Sequence, residues 1–199
     1  MLTLDKLANM IIQCTLCPLH EKRNNPVPGE GSEHARIMLI GEGPGFHEDQ
    51  SGKPFVGAAG NLLNDLLAMI NLKRNDVFIT NMVKCRPPDN RDPSPEEIAT
   101  CSTYLDHQIS LLQPTVIMTL GRHALTKFFP NELISKVRGK LRQLPNGYKI
   151  LPSYHPAAVL RNSHLRPIIE QDFKTLAKVA SQTNPMDNNS GPKQLSMFS

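Results

Sequence analysis

The chain has 199 residues, 39% of them hydrophobic, and a formal net charge of +4. That length suits one domain with a real core and a short tail. No stretch approaches the roughly 18 consecutive apolar residues of a membrane span. The partly apolar start is broken by Asp5 and Lys6 with no cleavage-type end after it, so no secretory leader is expected and a cytoplasmic location is. The charge is uneven. Residues 121–166 hold nine Lys or Arg against one acidic residue, Glu132, and carry +8, which leaves −4 for the rest. Such a block reads equally as a polyanion-binding face or as an ordinary solvated surface.

In chain order, residues 2–13 read as a short helix, with Leu4, Leu7, Ile11 and Ile12 near helical spacing. Residues 14–31 are loop. Residues 36–41 form a continuous apolar run ended by glycines, as in a buried parallel strand, and a Gly-rich loop follows. Residues 61–70 are apolar enough for a buried helix, and 77–81 form a second strand. A polar, Pro-rich loop covers 84–95. Ser94, Pro95 and Glu97 then spell a capping box that opens a helix running to about Leu112. Residues 115–121 are a third strand and 122–128 a short helix. Asn146-Gly147 is a tight turn feeding a strand over 148–151, and 168–180 form the last helix. Alternating strands and helices imply an α/β fold, a three-layer α/β/α sandwich around a small, mainly parallel four-stranded sheet over residues 1–180. A site is expected in the loops 42–60, 84–94 and 153–161, at the carboxyl ends of the strands.

The cysteines are Cys14, Cys17, Cys85 and Cys101. Cys14 and Cys17, spaced C-x2-C in a loop, can turn both thiolates to one metal. Cys85 follows a strand and Cys101 lies on the next helix, so the second pair can complete a four-thiolate site. Disulfides are disfavoured in a cytoplasmic chain. Tetrahedral zinc and a [4Fe–4S] cluster both fit four Cys, and Cys17-Pro18 is an ending common near clusters. Unrelated core cysteines are the remaining alternative.

The loop that begins Gly41-Glu-Gly-Pro-Gly45 and runs through Phe55 to Gly60 is stiffened by its glycines and prolines, and its N–H groups can face an anion or a carbonyl. It is neither a Walker loop nor a dinucleotide fingerprint, and alone it could be a structural turn. Together with Thr80-Asn81, Lys84-Cys-Arg-Pro-Pro-Asp-Asn-Arg91 and Ser153-Tyr-His-Pro-Ala157, it closely resembles the motifs of the type-4 (iron–sulfur) uracil-DNA glycosylases. The resemblance covers residues 7–178, includes all four cysteines, and decides the metal question for [4Fe–4S].

It implies a monomeric enzyme that flips uracil out of single- or double-stranded DNA and hydrolyses its bond to the sugar, leaving an abasic site for base-excision repair. Phe55 would stack on uracil, Asn81 would pair with N3–H and O4, and Glu48 would guard the C5 edge against thymine's methyl. His155, heading the His-Pro motif, would stabilise charge on O2. Gly43 lies in the same pocket, where many relatives of other types carry an aspartate. Glu42 and Asn90 are then the candidates to orient water. The basic, His-containing loop of covalently trapping relatives is absent between Arg91 and Glu96. Val159 or Leu160 would wedge into the minor groove, with Arg86, Arg91, Arg161 and Arg166 as phosphate contacts. A glycosylase for another lesion, such as hypoxanthine, and a non-catalytic DNA-binding iron–sulfur protein are the alternatives. The coexistence of Phe55, Asn81 and His155 argues against the second.

Residues 181–192 are polar and contain Gly and Pro, a composition expected of a tether. The chain then ends Gln194-Leu-Ser-Met-Phe198-Ser199, which resembles the bacterial sliding-clamp pentapeptide Gln-Leu-x-Leu-Phe. Leu195, Met197 and Phe198 would fill an apolar groove and Gln194 would bond at its rim.

Overall fold

The computed structural model describes residues 1–182. The expected tail, with Gln194, Leu195, Met197 and Phe198, lies outside the described residues, apart from Ser181 and Gln182, which extend the last helix.

One sheet organises the chain. Its strands are β1 (Glu30–Gly31), β2 (Ile37–Gly41), β3 (Phe78–Asn81), β4 (Val116–Leu120), β5 (Arg142–Gln143) and β6 (Lys149–Ser153), in the order β1-β3-β2-β4-β6-β5. Strands β3, β2, β4 and β6 are parallel neighbours, whereas β1 and β5 pair antiparallel at the two edges. The sheet therefore has six strands, not the expected four. The two extra strands have two residues each, too short to leave any periodicity in the sequence. Gly147, at φ 93°, makes the turn between β5 and β6.

Every residue of β2 and β4 is buried, because helices cover both faces of the sheet. Alternate residues divide between two cores. Ile37, Leu39, Val116, Met118 and Leu151 face α3 (Ala58–Met69) and α8 (Arg166–Gln182), through Leu63, Leu66, Phe173 and Leu176. Met38, Ile40, Ile117 and Ile150 face α4 (Pro95–Leu112) and α5 (Arg122–Thr126), through Leu105, Ile109 and Ala124. The capping box at Ser94 forms as the sequence implies: Glu97 N–H donates to Ser94 Oγ at 3.2 Å and Ser94 N–H to Glu97 Oε2 at 2.7 Å.

Helix α1 (Leu4–Ile12) lies against α4, and Leu7, Ile11 and Leu19 join Cys85, Cys101 and Tyr104 in a third cluster. Three short helices escape the sequence reading: α2 (Phe46–Ser51), α6 (Ile134–Val137) and α7 (Pro156–Arg161). With six residues or fewer, none can display a helical apolar stripe.

Candidate active site

Strand register brings the site together. Gly41 of β2 lies beside Asn81 of β3, and Leu120 of β4 beside Ser153 of β6. The segments leaving these ends converge on a cavity of about 520 Å³. Glu42, Gly43, Glu48, Phe55, Asn81, Asn90, Arg91, His155 and Arg161 all line it. Arg86, Val159 and Leu160 are outside that lining.

Asn81 is 1% exposed, and its side-chain Nδ2 has no hydrogen-bond partner among the described residues. An unpaired buried amide costs about 1–3 kcal/mol, a cost that a bound acceptor would remove. Beside it, Phe55 sits at φ 52°, in the left-handed region that a bulky residue rarely adopts. Arg74 holds it there, donating from Nη2 to the Pro54 carbonyl at 2.6 Å, from Nη1 to the Phe55 carbonyl and to Asn64 Oδ1 at 3.1 Å, and from Nε to Glu30 Oε1 at 2.6 Å. Gly60 packs so closely under the Phe55 carbonyl that no Cβ would fit. Glu48 closes the loop from the other side, accepting N–H bonds from Gly45 (3.1 Å), Val56 (2.9 Å) and Gly57 (3.1 Å). Its carboxylate thus shapes the loop around Phe55.

The Phe55 ring stacks on His155 with centroids 5.4 Å apart and planes at 27°. His155 caps α7, and its Nδ1 accepts the Ala157 N–H at 3.1 Å, which places the ring proton on Nε2. Burial, aided by Arg161 and opposed by Glu48, lowers its pKa to about 4. At neutral pH His155 is therefore an uncharged N–H donor in the cavity wall.

Glu42 follows β2. Burial pushes its carboxyl above the usual carboxylate range; His123 pulls it back, Asp92 raises it, and Arg122 and Arg161 lower it. Asn90 follows Asp89 with both at φ 54°, and its Oδ1 accepts from Arg86 Nε at 2.8 Å. Arg86 also lies 5.3 Å over the Phe46 ring.

Several expected DNA contacts are otherwise engaged. Arg91 grips Glu97 with two bonds of 2.7 and 2.9 Å, and Arg166 pairs with Glu170. Val159 is 5% exposed and part of the core, which corrects its reading as a groove wedge: one turn of α7 points it inward and leaves Leu160, 54% exposed, outward. The basic block is also less cationic than its sequence. Arg122, Lys127, Arg138, Arg142 and Arg166, five of its nine cations, are paired with carboxylates.

The four cysteines converge as expected. All are free thiols and line one small pocket between α1, α4 and the segment after β3. Burial pushes the Cys85 thiol up against the pull of Arg23, and the Cys101 thiol up to about 11 against Lys84. Ionising them there needs a strong cationic centre between them. Arg23 Nη1 donates to Cys85 Sγ at 3.0 Å and the Lys84 N–H to Cys101 Sγ at 3.3 Å, as suits electron-rich thiolates. Four converging thiols are a donor set that either a tetrahedral zinc or an iron–sulfur cluster takes.

Sequence reasoning missed Arg74 and the group of Asp92, Arg122 and His123 at the cavity rim. Neither carries a local signal, since each acts on a residue distant in the chain.

Residues 28–178 match the model of the uracil DNA glycosylase superfamily. The chain is 49% identical over 195 residues to the type-4 uracil-DNA glycosylase of Saccharolobus solfataricus, covering 93% of this chain and 90% of that one. To the enzyme of the same name from Sulfurisphaera tokodaii it is 48% identical (89% and 85% covered), and to that of Archaeoglobus fulgidus 45% (92% and 96%). With its cavity at the strand ends and its four converging cysteines, the chain belongs to the uracil-DNA glycosylase superfamily and, within it, to the type-4 glycosylases.

Proposed function

We propose that the cavity receives a uracil flipped from DNA and that the chain hydrolyses its N-glycosidic bond, leaving an abasic site. The observation that carries this reading is the buried Asn81 Nδ2, without a partner among the described residues, beside Phe55 and a neutral His155. Asn81 Nδ2–H donates to uracil O4 and Oδ1 accepts from N3–H; cytosine presents the opposite pair and is refused. Phe55 stacks on the ring. As the bond from N1 to C1′ breaks, its electrons pass to the uracil ring and O2, where the His155 Nε2–H stabilises the charge. Glu42 and Asn90 position a water whose oxygen bonds to C1′; its proton leaves by way of Glu42 and ends on the departing uracil. No bond to the enzyme forms. Leu160 fills the gap in the base stack and Arg161 meets a phosphate. Cys14, Cys17, Cys85 and Cys101 would hold a [4Fe–4S] cluster, which ties α1, α4 and the segment after β3 together and takes no part in the cleavage. Gln194, Leu195, Met197 and Phe198 would dock the chain on a replication sliding clamp.

The test is release of base from U:G, U:A, hypoxanthine:T and T:G duplexes, with iron and sulfide analysis of anaerobically purified protein. Uracil should leave both of its duplexes while thymine is spared. No uracil release would overturn the reading. Stoichiometric zinc without iron would overturn the cluster.

A further inference from the structure

Glu42 reaches the cavity from the end of β2, yet its carboxylate is steadied mainly by a group that the glycosylase motifs do not contain. His123, on α5, places Nε2 3.6 Å from Glu42 Oε2 and 3.3 Å from Asp92 Oδ2. Arg122, its chain neighbour, donates from Nε to that same Nε2 at 2.9 Å and from Nη2 to Asp92 Oδ2 at 2.6 Å. Three separate segments thus meet at one imidazole nitrogen on the cavity rim. The His123 side chain is only 18% exposed, whereas those of Asp92 and Arg122 are 57% and 68% exposed. The imidazole is therefore the buried member of the group, and the other two face solvent.

We propose that His123 is a positioning residue for the cleavage, holding the Glu42 carboxylate ionised and aimed at the water that attacks C1′. The inference rests on the role given to Glu42 above. Two requirements meet in this geometry. A carboxylate that orients water must keep its charge, and burial works against that charge at Glu42. The charged groups facing it are His123, Asp92, Arg122 and Arg161, and His123 is the strongest of those that favour the anion. The carboxylate must also keep one orientation, and an imidazole at ion-pair distance supplies a fixed partner on the side away from the base. A contact of 3.6 Å in the unliganded enzyme is of the kind that tightens on substrate binding. While Arg122 donates to it, Nε2 acts as an acceptor and turns no proton toward Glu42; released from Arg122, the nitrogen can carry the ring proton there. DNA can draw that exposed guanidinium to a phosphate, which leaves His123 to Glu42 as the substrate arrives.

The experiment is single-turnover excision from a U:G duplex, across pH, by wild type, His123→Ala, His123→Gln, Glu42→Gln and the Glu42→Gln/His123→Ala double variant. Thermal melting establishes that each is folded, and binding is read separately on a duplex carrying non-hydrolysable 2′-fluorouridine. His123→Ala should slow cleavage roughly 10-fold or more at neutral pH, a share of what a positioned base contributes. Its acid limb should move to higher pH, because the carboxyl loses the neighbour that favours its anion. Affinity for the 2′-fluoro duplex should stay within about 2-fold, since no transition-state contact is involved. His123→Gln, whose amide N–H can donate to Glu42, should recover part of the rate but not the pH profile. The double variant should be no slower than Glu42→Gln, the mark of two residues acting as one unit. An unchanged rate and acid limb in His123→Ala, or multiplicative losses in the double variant, would overturn the proposal while leaving Glu42 in place. A wild-type rate in Glu42→Gln would instead remove Glu42 from the reaction, and the role of His123 with it.

Discussion

Replacing Gly41 by alanine probes the base pocket with one methyl group. Gly41 ends β2 outside the left-handed region, so its backbone accepts any residue. A Cβ there would lie 2.7 and 2.9 Å from two carbons of the Phe55 ring and closer still to Asn81 Oδ1. Comfortable carbon contacts begin near ~3.5 Å, so the ring or the amide has to retreat by roughly 0.8 Å or more. Neither moves cheaply: Phe55 is held through Pro54 and its own carbonyl by Arg74, and Asn81 is paired within the sheet. Overpacking of this kind costs about 1–3 kcal/mol of stability. A misplacement near 1 Å at reacting groups costs on the order of 10²-fold in rate. Gly41→Ala should therefore melt several degrees lower, at roughly 2–4 °C per kcal/mol for a chain of this size, and cleave a U:G duplex about 10²-fold more slowly in single turnover. Gly147→Ala is the control. Its φ of 93° strains any side chain, but nothing lies within 4 Å of its Cβ, so it should lose stability without losing rate. If Gly41→Ala is folded and cleaves at the wild-type rate, uracil does not lie against Phe55 and Asn81.

Five other outcomes follow, four from the same geometry and the last from the sequence of the tail. His155→Ala should lose roughly 10²-fold or more in single-turnover rate with little change in DNA binding, as for one preorganised donor. Because the folded His155 titrates near 4, below its ordinary 6.5, the unfolded chain binds more protons between those values; stability should fall as pH drops through that window, and melting of His155→Ala should show a shallower fall. Asn81→Asp should gain some cytosine release, since a protonated carboxyl matches cytosine's reversed donor and acceptor; complete loss with no cytosine release would refute the exchange. Arg74→Ala should lower kcat/KM about 10-fold by freeing the Phe55 loop, and Arg74→Lys should not restore it, because an ammonium cannot span the four acceptors of the guanidinium; full rescue by lysine would refute the clamp. Gln194→Ala/Phe198→Ala should abolish binding to the cognate sliding clamp while leaving cleavage of short oligonucleotides unchanged, and equal clamp affinity of both proteins would dismiss the docking peptide.

What was legible in the sequence is what depends on neighbours in the chain. The buried strands show as apolar runs, the start of α4 as Ser94-Pro95 with Glu97, and the turn before β6 as Asn146-Gly147. Each is set by hydrogen bonds or torsions within a few residues. The pocket residues were legible for a different reason. Glu42, Glu48, Phe55, Asn81 and His155 were picked out by the resemblance of their motifs to the type-4 glycosylases, and the parallel strands align the ends from which those segments leave. Tertiary structure alone decided the rest. The edge strands β1 and β5 exist only because a neighbouring strand supplies their partners. Val159 and Leu160 are adjacent in sequence, but the docking of α7 on the core sends one inward and the other outward. The cationic look of residues 121–166 is reduced by carboxylates from other elements, such as Asp92, Asp106 and Asp172. Arg74 meets Phe55 and His123 meets Glu42 across separations of 19 and 81 residues. No local pattern encodes such pairs, because the chemistry that selects them acts only once the sheet has brought the segments side by side.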